Sequence, residues 1–173
     1  MRPGGQMNRE TAKPVSEETV LDLYRHHGAR LYAYALGFLG EPADVEDVVQ
    51  DAFVRLSEHL RRGGSDEQIR AWLYAVVANL CRDVLRWRKR RVDIDAEPET
   101  GPWEVSRTLA IRRVLKRLSP RDREMVLLRG GGLTYAEIAA AMGLHDASVG
   151  KLLSRALERF AVEYAREFGK EGA

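Results

Sequence analysis

The segment from Leu133 to Arg155, LTYAEIAAAMGLHDASVGKLLSR, constrains the fold more than any other stretch of the chain. Thr134 and Glu137 stand at the T-x-x-E spacing of a capping box, in which each side chain satisfies a backbone donor left unpaired at a helix start. Ile138, Ala139 and Met142 give the short helix that follows an apolar face, and Gly143 falls where a tight turn calls for positive φ. Leu144, Val149, Leu152 and Leu153 resume the apolar rhythm in a second helix, predicted to begin near His145 or Asp146 and to continue beyond Phe160. A buried helical hairpin would need only the apolar positions. Here cap, small residue, glycine and second stripe all keep the spacing of a helix-turn-helix. In that motif the first helix crosses the DNA backbone and the second presents its N-terminal residues to base edges in the major groove.

Upstream, helical periodicity continues. Ser16 is placed to cap a helix through about Leu39, with Val20, Leu23, Tyr24, Leu31, Tyr34, Ala35 and Phe38 on or near one face. Gly40 ends it and Pro42 opens the next. There Val45, Val48, Val49, Ala52, Phe53, Leu56 and Leu60 follow the i, i+3, i+4, i+7 rule, while Asp44, Asp47, Gln50, Asp51 and Glu58 fill the other face. By itself such an acidic face is a solvated surface. After the loop Arg61–Gly64, Ser65 and Gln68 suggest another capping box. A long helix then runs to about Arg90, with Ile69, Trp72, Leu73, Val76, Val77, Leu80 and Val84 as its core stripe. At 100° per residue Asn79, Arg82, Arg86 and Lys89 share a different face. Six basic residues among Arg82–Arg91, interleaved with Trp87, exceed what the helix dipole calls for and suit a phosphate backbone better. Further on, Ile111, Val114, Leu115 and Leu118 mark a helix. Ser119-Pro120-Arg121-Asp122 restarts the chain as N-cap, first helical residue and first-turn acid. Met125, Val126 and Leu128 fill that helix, and Gly130–Gly132 break it before the helix-turn-helix.

The distribution of charge divides the chain. Residues 1–91 carry 15 basic and 13 acidic residues, and residues 106–173 carry 13 and 8; residues 92–105 carry 5 acids and no base. Two mildly basic blocks thus flank an acidic joint containing two prolines and a glycine, as expected of polyanion-binding domains and a connector. The expected organisation is a disordered lead-in (1–15), a helical domain (16–91), an acidic flexible linker (92–105) and a helix-turn-helix domain (106–168). No strand signal or internal repeat stands out, so the expected fold class is all-α, with each half only marginally stable alone. The lone cysteine, Cys81, rules out an intrachain disulfide and reads as a core residue. Four scattered histidines give no zinc pattern, and neither a metal nor a cofactor is expected. No apolar run approaches a membrane span and the N-terminus has no signal core, so a cytoplasmic, reducing location is expected.

Four segments in order resemble the bacterial RNA polymerase sigma factors of the extracytoplasmic-function (ECF) group, in the sigma-70 family. PADVEDVVQDAFVRL is similar to the family's D-x-E-D-x-x-Q-x-x-F polymerase-binding helix. AWLYAVVANLCRDVLRWRKRR resembles its W-L-x-x-x-x-x-N-x-x-x-D-x-x-R promoter-melting helix. LSPRDREMVLLR and LTYAEIAAAMGL…SVGKLLSRA resemble its −35-binding domain. The similarity spans roughly Leu21 to Phe160 and leaves no room for the extra domains of housekeeping sigma factors. It implies a non-catalytic initiation factor whose partners are core RNA polymerase (the β′ clamp helices and the β subunit), promoter DNA and an anti-sigma factor, with no membrane insertion. Carried over residue by residue, it makes Asp47, Gln50, Asp51 and Phe53 candidates for polymerase binding. Arg70, Trp72, Asn79, Arg82 and Arg86, with the Gly63–Arg70 loop, become candidates for reading the −10 element and capturing a flipped base. Thr134, Asp146, Ser148, Lys151 and Arg155 become candidates for the −35 element. The acidic linker would occupy the active-site cleft and RNA exit path.

One segment departs from the family. Where its recognition helix commonly reads V-K-S-R-L-x-R-A, this chain has Val149-Gly150-Lys151-Leu152-Leu153-Ser154-Arg155-Ala156. Two basic positions have become Gly150 and Leu152. Leu152 either faces DNA or packs on Ile138 and Met142. Two rival functions are a stand-alone helix-turn-helix regulator that never meets polymerase and a nucleic-acid enzyme. The first leaves the upstream motifs unexplained. The second finds no phosphate-binding glycine loop, metal cluster or nucleophile–base pair.

Overall fold

Capping and termination signals in the sequence are realised as helix boundaries in the computed structural model, which describes residues 17–64, 68–90 and 104–169. Among these residues seven helices and no strands occur: α1 (Glu17–Leu39), α2 (Pro42–Arg61), α3 (Ile69–Arg90), α4 (Glu104–Arg117), α5 (Pro120–Gly130), α6 (Tyr135–Met142) and α7 (Asp146–Phe168). The expected caps at Ser16 and Ser65, the lead-in and most of the acidic linker lie outside the described residues. Helix α4 begins at Glu104, two residues inside the segment read as linker.

Pro42 occupies the first turn of α2, where its missing N–H costs nothing. Ser119 caps α5 by accepting from the Asp122 backbone N–H at 3.1 Å, with Pro120 next to it. At α6 the capping box closes in both directions. The Glu137 N–H donates to Thr134 Oγ1 at 3.3 Å, and the Thr134 N–H donates to Glu137 Oε2 at 2.8 Å. Gly143 follows in the left-handed region (φ 62°, ψ 41°), a conformation that a Cβ would make costly. His145 then caps α7.

The first half is a three-helix packing of α1, α2 and α3. All seven apolar positions anticipated on α2 are buried, as are Ile69, Leu73, Val77 and Leu80 of α3. Trp72, Val76 and Val84, expected in the same stripe, are only half-buried. In the second half α7 packs on α5, α4 and α6. Arg113 and Arg117 of α4 reach Glu167 at 3.1 and 2.6 Å, and their hydrogen bonds hold its carboxylate below the ordinary range. These pairs lie at the surface, where solvent screens them.

The two halves do not stand apart. Helix α6 packs on α3, and α1 touches α4 and α5, so one apolar cluster runs from Leu31 through Ala156. That contact explains why Ala71, Tyr74, Ala78 and Cys81 of α3 are also buried, a second covered face beyond the expected stripe. Close approach depends on two glycines. A Cβ at Gly131 would stand 2.6 Å from the Tyr74 hydroxyl, and one at Gly37 would stand 2.5 Å from Leu127. Each fully buried Leu or Val here contributes about 1.5–3 kcal/mol relative to exposure.

Cys81, fully buried beneath this contact, has its thiol pushed up to about 12 by desolvation, with Arg82 opposing. At pH 8 the thiolate fraction is then of order 10⁻⁴, and the thiolate is the reactive form. The folded chain should not react with Ellman's reagent over an hour at pH 8, and should titrate one thiol in denaturant. Prompt reaction in native buffer would show that the helix α3 contact opens freely.

Candidate nucleic-acid interface

Helix α3 carries the anticipated strand-reading face, and its residues differ in how they are held. Asn79 and Arg86 are exposed. Arg86 hydrogen-bonds Asp83, one turn away. Arg82 donates to Asn79 and, through Nη2, to Oε1 of Glu124 on α5 at 2.7 Å. Partial burial works against the Arg82 charge, but the hydrogen bond and charge of Glu124 outweigh it and raise its pKa. At the other end of α3, Arg70 lies 3.6 Å from Glu137 and donates to the Gly131 carbonyl at 3.4 Å. Trp72 stacks on His59, with ring centroids 4.6 Å apart and planes at 24°. The two rings line an open pocket of about 430 Å³ with Arg55, Glu58, Arg62, Gly63 and Gly64. The basic end of α3 is not wholly free for phosphates: Arg88 donates to the Leu39 carbonyl at 2.9 Å and pairs with Asp44.

On α2, Asp47, Gln50 and Asp51 are exposed on the face opposite the core. Val54 continues this stripe one turn on and is 56 % exposed, an apolar position the acidic pattern did not single out. Phe53 is 7 % exposed and its ring meets Tyr24 edge-on at 5.0 Å, so most of it belongs to the core and only its edge lines an open groove. Exposed Leu21 and Tyr24 flank the groove above it.

On the helix-turn-helix, Asp146, Lys151 and Arg155 are exposed at the start of α7, with Ser148 half-buried and donating to the His145 carbonyl at 2.6 Å. Ser148, Lys151 and Arg155 share one face by helical spacing. The Thr134 hydroxyl is engaged in the capping box, so its first role is to hold α6. Leu152 is half-buried against the apolar cluster with Met142 and Leu144, which favours the packed alternative. Two residues the sequence did not flag adjoin this surface. Tyr135 is 50 % exposed at the first turn of α6, and the Arg129 guanidinium sits 5.8 Å from its ring centroid. Their proximity to α7 arises from the turn Gly130–Thr134, which no periodicity encodes.

A helical DNA-binding protein in two parts, with a helix-turn-helix in the second, is the class this architecture defines. Residues 23–91 match the Sigma-70 region 2 family model, and residues 108–160 match that of Sigma-70 region 4. RNA polymerase sigma factor NccH of Alcaligenes xylosoxydans is 35 % identical over 149 residues, covering 78 % of this chain and 80 % of that protein. ECF RNA polymerase sigma factor SigL of Mycobacterium tuberculosis is 30 % identical over 138 residues, covering 73 % and 78 %. The solved structure of CnrH in complex with the cytosolic domain of CnrY superposes with a TM-score of 0.69 at 29 % identity, covering 87 % of this chain and 90 % of CnrH. RpoE of Bartonella quintana, solved with the anti-sigma factor NepR, shares the fold with a TM-score of 0.63 at 22 % identity, covering 82 % and 96 %. The chain belongs to the sigma-70 family, in its extracytoplasmic-function group, and is an alternative sigma factor that directs transcription initiation. The stand-alone regulator is not favoured. Among the described residues no group of His, Cys, Asp and Glu is placed to hold a metal, and no helix is long and apolar enough to cross a membrane.

The recognition helix yields a paired test. A Cβ at Gly150 would meet only a Tyr135 ring carbon at 3.6 Å, an ordinary contact, and the position is helical. Gly150→Ala should therefore stabilise the chain by about 1 kcal/mol. Leu152→Arg should cost about 1 kcal/mol, since half a leucine's burial is lost while the arginine stem still covers the surface. Thermal melts of the full chain decide both; a Leu152→Arg chain as stable as the parent would mean that Leu152 does not pack.

Proposed function

We propose that this sigma factor docks core RNA polymerase through the exposed face of α2 and reads promoter DNA with α3 and α7. The carrying observation is the division of α2. Every apolar residue of its core stripe is buried, while Asp47, Gln50 and Asp51 all remain exposed. A helix so firmly seated presents its acids on a rigid frame, which suits the β′ clamp helices. Val54 adds an apolar centre beside a charged rim, the usual anatomy of a protein interface. Lys151 and Arg155, with Ser148 and Asp146 at the start of α7, address the −35 element. Asn79, Arg82 and Arg86, with Arg70 and Trp72, address the −10 strand. A flipped base costs a few kcal/mol, and the Trp72–His59 pocket offers a stacking surface to offset it. The β subunit completes the polymerase contact, and an anti-sigma factor restrains the protein, as the complexes of its structural neighbours suggest. It acts in the cytoplasm, without catalytic chemistry or a cofactor of its own.

Asp47→Arg with Asp51→Arg should weaken core polymerase binding at least tenfold, because charge reversal adds repulsion to the lost contact. Far-ultraviolet circular dichroism should be unchanged, since both side chains are exposed. Pull-down of core polymerase at wild-type level by the folded double variant would refute the docking face. Strand reading is best tested at Asn79 and Arg86, which are exposed and free of the buried Glu124. Asn79→Ala with Arg86→Ala should leave core binding intact but reduce permanganate reactivity of −10 thymines several-fold. Normal reactivity would place the strand-reading surface elsewhere.

A further inference from the structure

For a helix that meets duplex DNA, the start of α7 has little net charge. Between Asp146 and Glu158 its exposed side includes two cations, Lys151 and Arg155, and the two carboxylates that bound the stretch. A further cation stands beside it, outside the helix-turn-helix. Arg129, in the last turn of α5, is exposed and crosses the turn that leads into α6. Its Nη1 donates to the Leu133 carbonyl at 3.1 Å, and its guanidinium lies 5.8 Å from the centroid of the Tyr135 ring. Tyr135 in turn borders α7, because a Cβ at Gly150 would stand 3.6 Å from its Cε2. Contacts thus run from Arg129 through the Tyr135 ring to Gly150, the neighbour of Lys151.

Other arginines of this half are neutralised. Arg113 and Arg117 pair with Glu167, Arg159 with Asp122, and Arg166 with Glu163. Among the described residues Arg129 has no carboxylate partner, only the carbonyl and the ring. A cation in the last turn of α5 complements the helix dipole, which accounts for a positive charge there. It does not account for a guanidinium seated on an aromatic ring with its charge left uncancelled.

We propose that Arg129 is a phosphate-binding residue of the −35 interface and that Tyr135 positions it. This rests on the assignment of α7 to the −35 element. In a helix-turn-helix the first helix crosses the DNA backbone, and Arg129 is fixed at the first turn of that helix, α6. A backbone phosphate is therefore the group it meets, and the guanidinium fork suits phosphate oxygens. Such a contact sets register without reading sequence. Holding the guanidinium in place beforehand lowers the ordering cost of binding. Gly150 belongs to the same device. A long side chain there would have to pass over the Tyr135 ring or displace it, and Arg129 would move with it.

The test uses holoenzyme formed with the full chain and a promoter duplex that the parent holoenzyme selects from a genomic library. Arg129→Gln removes the charge yet can still donate to the Leu133 carbonyl. It should bind the duplex roughly tenfold more weakly at low salt, as expected for one hydrogen bond to a charged group. Its salt slope should fall by about 0.9, with core polymerase binding unchanged. Arg129→Lys should keep the slope but lose part of the affinity, since the charge stays and the fork goes. Tyr135→Leu should weaken binding on its own and add nothing to Arg129→Gln; full additivity would remove Tyr135 from its positioning role. Phosphate-ethylation interference separates contact from scaffold. With the parent, ethylation of a phosphate beside the −35 element should weaken binding, and with Arg129→Gln that phosphate alone should drop out of the pattern. Weaker binding with an unchanged pattern would show a structural role and overturn the proposal. Lys151→Ala with Arg155→Ala tests the underlying assignment. If that pair leaves affinity and the −35 pattern unchanged, the assignment of α7 fails and the role of Arg129 with it. If the pair erases the −35 contacts while Arg129→Gln keeps the parent's slope and pattern, α7 stands and Arg129 is overturned.

Discussion

A carboxylate almost withdrawn from water dictates how the two halves of this sigma factor can relate. Glu124 belongs to α5, yet the hydrogen-bonded charge that makes its burial tolerable comes from Arg82 of α3. Removing Arg82 would strand the buried carboxylate, whereas Arg82, 42 % exposed in its side chain, would still meet water without Glu124. Close contacts join the halves beside it. Tyr74 lies against Gly131, Leu127 against Gly37, and Tyr34 meets Tyr74 edge-on at 4.9 Å beneath them. Helix α3 is consequently covered on two sides, by α1 and α2 and by α6, and only its Asn79–Arg86 edge and its basic end face outward.

That arrangement sets apart what local sequence encodes from what it does not. The seven core residues of α2, the Ser119 and Thr134 caps and the Gly143 turn follow from helical period and backbone satisfaction, so each was legible within a window of a few residues. Tyr74, Ala78 and Cys81 were not legible as a second buried face, because the surface that covers them comes from another part of the chain. Arg82 and Glu124 are 42 residues apart, and nothing in either neighbourhood announces the pairing. Phe53 carries two readings at once: its period assigns it to the core, where most of it is buried, and the resemblance assigns it to polymerase, toward which only its groove-lining edge is open.

The acidic face of α2 marks the limit of a reading from residues alone. Asp47, Gln50 and Asp51 are exposed and have the composition of any solvated helix surface. Only the ordered family motifs distinguish them, and their assignment to polymerase rests on that resemblance. The structure adds the neighbouring apolar positions Val54, Leu21 and Tyr24, which give the surface an interface's mixed character.

The recognition helix leads to a different balance between the two promoter contacts. Gly150 and Leu152 stand where the family commonly has basic residues, and Leu152 turns toward the core. The cations left near the groove are Lys151 and Arg155, with Arg129 beside Tyr135 at the adjoining helix start. Each phosphate neutralised contributes about 0.9 to the salt slope of binding, so three cations give a shallow electrostatic hold on duplex DNA. Helix α3 has the larger basic reserve, yet Arg70, Arg82 and Arg88 are all engaged within the protein. Arg86, Lys89 and Arg90 nevertheless stay exposed on α3, so each half keeps a modest set of surface cations. On the assignment proposed above, promoter affinity comes from bringing both surfaces to bear at once. A partner docked on the exposed face of α2, away from the contact of α3 with α6, would leave α3 and α7 free to act together.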